Sequence, residues 1–140
     1  MKTLYERMGQ FEGILAFIKP FYADVRQHAE LGPVFNQTIE DWPAHMNRIA
    51  GFWARQTGGP SEYAGGFAGA HMRLGIPPEL VDQWLELWKF NCERELQEPE
   101  RGEMLTLARH LGSNLQRILA GRPGFMPNSF SKKNQTGEQP

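Results

Sequence analysis

Four stretches of this chain carry apolar residues at three- and four-residue steps, whereas the alternation typical of a β-strand is almost absent. This spacing places the apolar side chains on one face of an α-helix. A glycine-rich connection over residues 58–69 separates the second helical stretch from the third. The pattern therefore predicts an all-α fold, in which four amphipathic helices bury their apolar faces in a common core.

Length and composition agree with a single folded domain. The chain has 140 residues, of which 40% are hydrophobic and 22% are charged, and this balance is typical of a globular protein. We expect one domain over residues 1–122. Residues 123–140 are mostly polar, and we expect them to form a disordered tail.

Charge and targeting features argue against several classes of partner. The net charge of -1 and the lack of a Lys and Arg cluster argue against binding to nucleic acid or to an anionic membrane. The N-terminal residues lack the apolar segment of a secretory signal, and no window is apolar enough to span a bilayer. The single cysteine, Cys92, fits a reducing compartment and is interpreted as a small buried hydrophobe. These features predict a cytoplasmic protein.

The helical stretches differ in their boundaries and in the residues that they bury. A short turn is expected to end at Gly9, Pro20 is expected to kink the first long helix without dividing it, and Leu31–Asn36 is expected to form a turn followed by an apolar corner. The four predicted stripes are Ile14, Phe17, Ile18, Phe21, Tyr22 and Val25; Trp42, His45, Ile49, Phe52, Trp53 and Gln56; Leu80, Val81, Trp84, Leu85, Trp88, Asn91, Cys92 and Leu96; and Met104, Leu107, Ala108, Leu111, Leu115, Ile118 and Leu119.

A single histidine, His71, follows the glycine-rich connection and precedes a helix that begins at Pro77-Pro78 and carries Trp84 and Trp88. A loop that holds one histidine against an aromatic helix is either structural or presents an imidazole to a metal or a flat cofactor. The sequence contains no paired histidines or cysteines with zinc-ligand spacing, no nucleophile elbow, no phosphate-binding loop and no dinucleotide fingerprint.

Haem fits the chemistry that remains, because one neutral imidazole binds its iron and the opposite face is left to a small gas. Bound dioxygen carries partial negative charge, so the distal side needs hydrogen-bond donors within an apolar pocket. Tyr22, His45 and Trp84 are donors on helix faces that otherwise consist of buried residues. From the residues alone, backbone carbonyls are equally acceptable partners for them, and Phe35 is more simply explained as a core residue.

Several motifs, taken together, resemble the truncated haemoglobins. They are Phe21-Tyr22-x-x-Val25-Arg26; Leu31-Gly32-Pro33-Val34-Phe35-Asn36; Trp42-x-x-His45-x-x-x-Ile49-x-x-Phe52-Trp53; Tyr63-x-Gly65; His71; and Trp84-Leu85-x-Leu87. They occur in the order and spacing of that family over residues 11–96. His45 together with Trp84 is similar to group III, whereas Leu4–Gly9 and Gly65-Gly66 are similar to groups I and II.

The resemblance implies a truncated globin fold, a two-over-two helical sandwich around haem b (iron protoporphyrin IX). His71 matches the proximal iron ligand, Tyr22 and Trp84 the distal hydrogen-bonding pair, and His45 the distal gate. Arg48, Tyr63 and Arg73 are placed to reach the haem propionates. The full set expected to contact the cofactor is Phe35, His45, Arg48, Ile49, Phe52, Tyr63, His71, Arg73, Ile76 and Trp84, and the expected catalytic residues are Tyr22, His45 and Trp84.

The expected ligands are dioxygen, nitric oxide, carbon monoxide or peroxide. Two strong donors slow the release of dioxygen, which favours redox detoxification of nitric oxide or peroxide, with electrons from a reductase. The alternative is a carrier for oxygen transport or a gas sensor that acts through a protein partner without turnover. A third hypothesis is a helical interaction module without a cofactor, in which His71 and Trp84 belong to the core; it predicts a colourless protein.

Overall fold

The computed structural model describes residues 1–61 and 76–121. Within these two ranges the chain is helical and contains no strand. The helices are α1 (Leu4–Arg7), α2 (Gln10–Gln27), α3 (Leu31–Thr38), α4 (Trp42–Gln56), α5 (Pro78–Glu95) and α6 (Glu100–Gly121). The expected all-α fold is confirmed. None of the helices in the described ranges is both long enough and apolar enough to cross a membrane.

The short helix α1 and the turn after it follow the local sequence. Thr3 accepts a hydrogen bond from the backbone N–H of Glu6, and the Glu6 carboxylate accepts one from the N–H of Thr3, which is a capping box. Gly9 has a φ of 98°, a conformation that favours glycine. The prediction that a short turn ends at Gly9 is confirmed.

Helix α2 continues through Pro20, as predicted, and all six residues of its expected stripe are buried. Pro20 has no N–H, so the carbonyl of Ala16 loses its helical donor. One turn away, the side-chain amide of Asn91 on α5 donates to the carbonyl of Phe17 at 3.0 Å. Asn91 is fully buried, so this hydrogen bond attaches α5 to α2 close to the proline.

The expected turn and corner at Leu31–Asn36 is instead the helix α3, and the prediction is wrong in this respect. Gly32 lies where the chain folds back on α2, since a Cβ there would be 2.7 Å from the carbonyl oxygen of Arg26. Pro33 lies in the first turn of α3, where its missing N–H is not needed. A proline and a glycine that are typical of a turn are therefore also compatible with a helix start.

Helix α4 begins where predicted, with the Asp41 side chain accepting from the N–H of Ala44 at 3.1 Å. Its buried surface is wider than the expected stripe. Phe52 and Trp53 are buried as expected, but so are Met46, Ala50 and Ala54, whereas Trp42, His45, Ile49 and Gln56 are only half-buried. The physical reason is that α4 packs against α2 with one face and presents another face to a cavity.

Helices α5 and α6 are antiparallel neighbours. The indole N–H of Trp88 donates to the carbonyl of Met104 at 3.1 Å, and near the other end the Gln116 amide donates to the carbonyl of Pro78 at 3.2 Å. The predicted inner position of Ile118 is wrong, because this side chain is 39% exposed. The next residue, Leu119, is buried in a cluster with Val81 of α5, so Ile118 is exposed because it lies on the side of α6 turned away from that cluster.

The long helices form two packed pairs, α2 with α4 and α5 with α6, and α2 also contacts α5. The main core lies where the pairs meet and contains buried residues of α2, α4, α5 and α6. This arrangement is the expected two-over-two sandwich.

Candidate functional site

A cavity of about 480 Å³ lies between the two helix pairs. This volume is in the range that small molecules and cofactors occupy in proteins. Its walls are mostly apolar and come from every helix except α1. The lining residues are Tyr22, Leu31, Val34, Phe35, Thr38, Ile39, Glu40, Asp41, Ala44, His45, Arg48, Ile49, Phe52, Trp53, Ile76, Leu80, Val81, Trp84, Leu111, Gly112 and Leu115.

The cavity brings together all the predicted site residues within the described ranges. They are Tyr22, Phe35, His45, Arg48, Ile49, Phe52, Ile76 and Trp84. Tyr63, His71 and Arg73 lie outside the described residues. Sequence reasoning missed the contribution of α6 to the wall, which Leu111, Gly112 and Leu115 provide. The apolar spacing of α6 was visible in the sequence, but nothing in it separated cavity-lining residues from core residues.

Tyr22 and Trp84 form the polar pair of this cavity. Tyr22 is 5% exposed, and Trp84 lines the same cavity. Burial raises the pKa of Tyr22 well above its ordinary value, and interaction of the hydroxyl with the indole of Trp84 opposes this rise only in part. Tyr22 is therefore a neutral phenol near neutral pH and keeps its own O–H as a donor.

His45 lies on α4 between Tyr22 and the cavity rim. Its imidazole is half-buried, and the ring centroid is 6.1 Å from that of Tyr22 and 5.5 Å from that of Trp42, with edge-on geometry in both pairs. The guanidinium of Arg26 lies over Trp42, 4.4 Å from the centroid of its ring. Cation–π contact of this kind favours a fixed indole.

Apolar side chains make up the rest of the wall near these donors. Phe35 on α3 packs beside Tyr22, with ring centroids 6.1 Å apart. Ile49 follows His45 by one helical turn of α4, and Phe52 is buried about one turn further along the same helix. Ile76 is buried just before α5. Arg48 is exposed and belongs to the lining, so it provides a positive charge at the rim.

Trp84 of the polar pair also belongs to a stack of three tryptophans. The ring centroid of Trp88 is 4.5 Å from that of Trp53, with 21° between planes, and 5.1 Å from that of Trp84, with 14° between planes. The sequence placed each of these residues on a buried stripe. It carried no signal that the two helices would align the indoles face to face.

Cys92 lies one helical turn beyond Trp88 and is fully buried. Burial raises the pKa of its thiol to about 12, and the nearby carboxylate of Glu93 adds to this effect. The thiol is therefore protonated at neutral pH and unreactive. This confirms its interpretation as a small buried hydrophobe.

Comparisons with known proteins place this geometry in a family. No family model matches the chain. A group 3 truncated hemoglobin from Campylobacter jejuni is 31% identical over 120 residues, which are 82% of this chain and 94% of that protein. The crystal structure of group III truncated hemoglobin from Campylobacter jejuni aligns with a TM-score of 0.75 and 30% identity over 82% of this chain and 94% of that one.

A second solved structure shows the same fold at lower identity. The cold-adapted truncated hemoglobin from the Antarctic marine bacterium Pseudoalteromonas haloplanktis aligns with a TM-score of 0.61 and 22% identity, over 85% of this chain and 95% of that one. Identity at this level supports the fold alone, whereas the Campylobacter jejuni protein supports the relationship as well. By its identity to that protein over most of both chains, this chain belongs to the truncated haemoglobin family, and the relationship is to group III.

Proposed function

We propose that this protein binds haem b in the cavity between the helix pairs and carries out redox chemistry on a small ligand there. The observation that carries the proposal is the presence of the donors Tyr22, Trp84 and His45 together in the wall of a largely apolar cavity of about 480 Å³. Haem is a flat apolar ring with acidic propionate substituents. The ring packs against wall residues such as Phe35 and Ile49, and the exposed Arg48 pairs with the propionates. Bound haem supplies an iron atom that holds small ligands and exchanges electrons.

His71 is the proposed iron ligand, on the strength of the sequence motif. It precedes Ile76 by five residues in the chain, and Ile76 is a buried residue of the cavity wall. Tyr63 and Arg73 remain proposed partners of the propionates on the same basis.

The described residues provide the polar environment of the distal side. Tyr22 donates its O–H to a ligand that carries partial negative charge, while the indole of Trp84 interacts with the phenol oxygen and polarises it. His45 lies next to Tyr22 and controls the space toward the rim. A donor held in place before the ligand arrives stabilises negative charge without reorganisation, which slows the release of dioxygen and polarises a peroxide bond.

Slow release favours chemistry over transport, so we assign the protein to detoxification of nitric oxide or peroxide, with an electron-donating reductase as partner. Consumption of nitric oxide or hydrogen peroxide over many cycles, with a reductant present, is the expected result. Reversible binding of dioxygen and carbon monoxide without turnover would instead identify a carrier or a sensor.

The cofactor and its ligand are tested by absorption spectra of the wild-type protein and of His71→Gly, in ferric, ferrous and carbon-monoxide-bound forms. The expected wild-type spectrum is that of a haem protein, and the expected variant has lost its ferrous ligand but regains it when imidazole is added. A wild-type protein that stays colourless after haem is added would contradict the proposal. An unchanged spectrum in His71→Gly would exclude His71 as the ligand.

A further inference from the structure

The stack of Trp53, Trp88 and Trp84 is a second feature of the cavity, and the proposed distal chemistry uses only Trp84 of the three. Trp88, in the middle, is fully buried, whereas Trp84 and Trp53 both belong to the cavity lining. The stack therefore meets the cavity at both ends and keeps its centre away from solvent. An oxidant in the cavity has two indoles within its wall and a third directly behind them.

The geometry favours sharing of an electron vacancy among the three rings. Indole is one of the most easily oxidised side chains, and the negative face of an aromatic ring attracts a positive charge placed over it. Trp53 and Trp84 each present such a face to Trp88, at centroid distances of 4.5 and 5.1 Å with nearly parallel planes. A radical cation centred on Trp88 is therefore stabilised by both neighbours.

The hydrogen bond of Trp88 keeps the oxidation free of proton transfer. Its indole N–H donates to the carbonyl oxygen of Met104 at 3.1 Å. A backbone carbonyl accepts a hydrogen bond but is too weak a base to remove the proton. Trp88 thus loses and regains an electron without losing its proton. The buried indole and the Met104 carbonyl therefore need no proton exchange with water.

We propose that the three stacked indoles form a one-electron donor site for an oxidant in the cavity. Reduction of hydrogen peroxide to two water molecules takes two electrons and two protons. The stack would supply one electron and become a radical cation with all its bonds intact, the second electron would come from bound haem, and solvent would supply the two protons. Two one-electron reduction steps would then return one electron to the stack and one to the haem. The use of peroxide as oxidant rests on the proposed function.

Electron paramagnetic resonance of the haem-loaded protein, frozen shortly after mixing with hydrogen peroxide, tests the proposal. The expected signal is an organic radical that narrows when the protein contains ring-deuterated tryptophan. Its yield should fall several-fold in Trp88→Phe and in Trp53→Phe. Trp42→Phe is the matched control, because Trp42 is the remaining tryptophan of the chain and is not in the stack. The yield in this control should equal that of the wild type.

Equal radical yields in the wild type and both stack variants would overturn the proposal, as would a signal that tryptophan deuteration does not change. Helical circular dichroism and the carbon-monoxide spectrum establish that each variant is folded and loaded. The two substitutions lie on different helices, so Trp53→Phe decides the question if Trp88→Phe does not fold.

A second arm separates this proposal from the proposed function. Hydrogen peroxide is replaced by a photo-excited ruthenium complex with persulfate, which removes single electrons without haem chemistry. A tryptophan radical that depends on Trp88 and Trp53 in this arm supports the donor site even if the protein does not reduce peroxide. Peroxide turnover together with radicals that are unaffected by either stack variant would overturn the donor site and leave the proposed function standing.

Discussion

The indole of Trp84 interacts with the hydroxyl of Tyr22, which still has its own proton to donate. In this arrangement the two residues act in series, since Trp84 polarises the phenol and Tyr22 meets the ligand. The sequence identified both side chains as donors on buried faces. It did not show that one of them acts on the other.

Tyr22→Phe should accelerate dioxygen release by roughly tenfold or more, because a hydrogen bond to a negatively charged group contributes about 1.5–3 kcal/mol and about 1.4 kcal/mol is a factor of ten. Trp84→Phe should accelerate release several-fold. In the double variant the effect should be smaller than the product of the single effects, because the second substitution removes a group that acted through the first. Stopped-flow release rates measure all three. Multiplicative effects would show that each residue contacts the ligand independently.

Asn91 is a fully buried amide that hydrogen-bonds to residues of both α2 and α5. It donates to the carbonyl of Phe17 at 3.0 Å and accepts from Arg94 at 2.6 Å. Asn91→Ala should lower the free energy of unfolding in urea by about 1–3 kcal/mol, because a buried network loses its central group. The matched control Asn114→Ala removes a half-buried residue whose hydrogen bond to Arg117 is exposed, and should change the value by less than about 0.5 kcal/mol. Equal changes in the two variants would mean that burial of Asn91 contributes nothing to the free energy of unfolding.

At the scale of the helices, α1 is attached to the start of α6 by ion pairs between residues that are far apart in the sequence. Arg7 donates to both carboxylate oxygens of Glu103, at 2.8 and 2.9 Å, and to Glu100 at 2.7 Å. The hydrogen bonds from Arg7 lower the pKa of Glu103 below its ordinary value. Since the three side chains are partly exposed, salt screens part of the attraction.

The contribution of this pair should depend on pH. A carboxyl group with a lowered pKa in the folded state stabilises the fold above its unfolded pKa of about 4.3, and this stabilisation is lost as the pH falls through the folded value. Arg7→Met should therefore destabilise the protein at pH 7 and have little effect at acid pH, in urea titrations at low salt. Arg117→Met, which removes an arginine bonded to the uncharged Asn114, should show no such difference. A pH-independent effect of Arg7→Met would contradict the role of Glu103.

Helix boundaries were largely predictable because local chemistry sets them. The capping Asp41, the positive φ of Gly58 after α4 and Pro78 at the start of α5 all act within one turn of the chain. Helix α3 was not predicted, because Leu31-Gly32-Pro33 satisfies the rules for a turn and for a helix start equally. Contact with α2 at Arg26 decides between them.

At the scale of the whole molecule, the two helix pairs leave a cavity in place of a closed core. A ligand that binds the folded state alone stabilises it, by about 2.7 kcal/mol at a hundredfold excess over its Kd. Haem should therefore raise the melting temperature of the haem-free protein. Ile49→Glu, which places a charge in the apolar wall, should abolish most of this gain. Phe90→Glu is the control, since Phe90 is 52% exposed and lies outside the lining. The same gain in all three proteins would place the haem elsewhere.

The sequence by itself determined the four long helices, most of their buried faces and the family, because periodicity, caps and motif spacing are local properties of the chain. It also named eight of the residues that line the cavity. The tertiary structure decided which donor acts on which, that α6 contributes to the wall, and that Trp53, Trp88 and Trp84 stack. These features depend on how α2, α4, α5 and α6 cross, and residues far apart in the chain meet at distances that no local pattern contains.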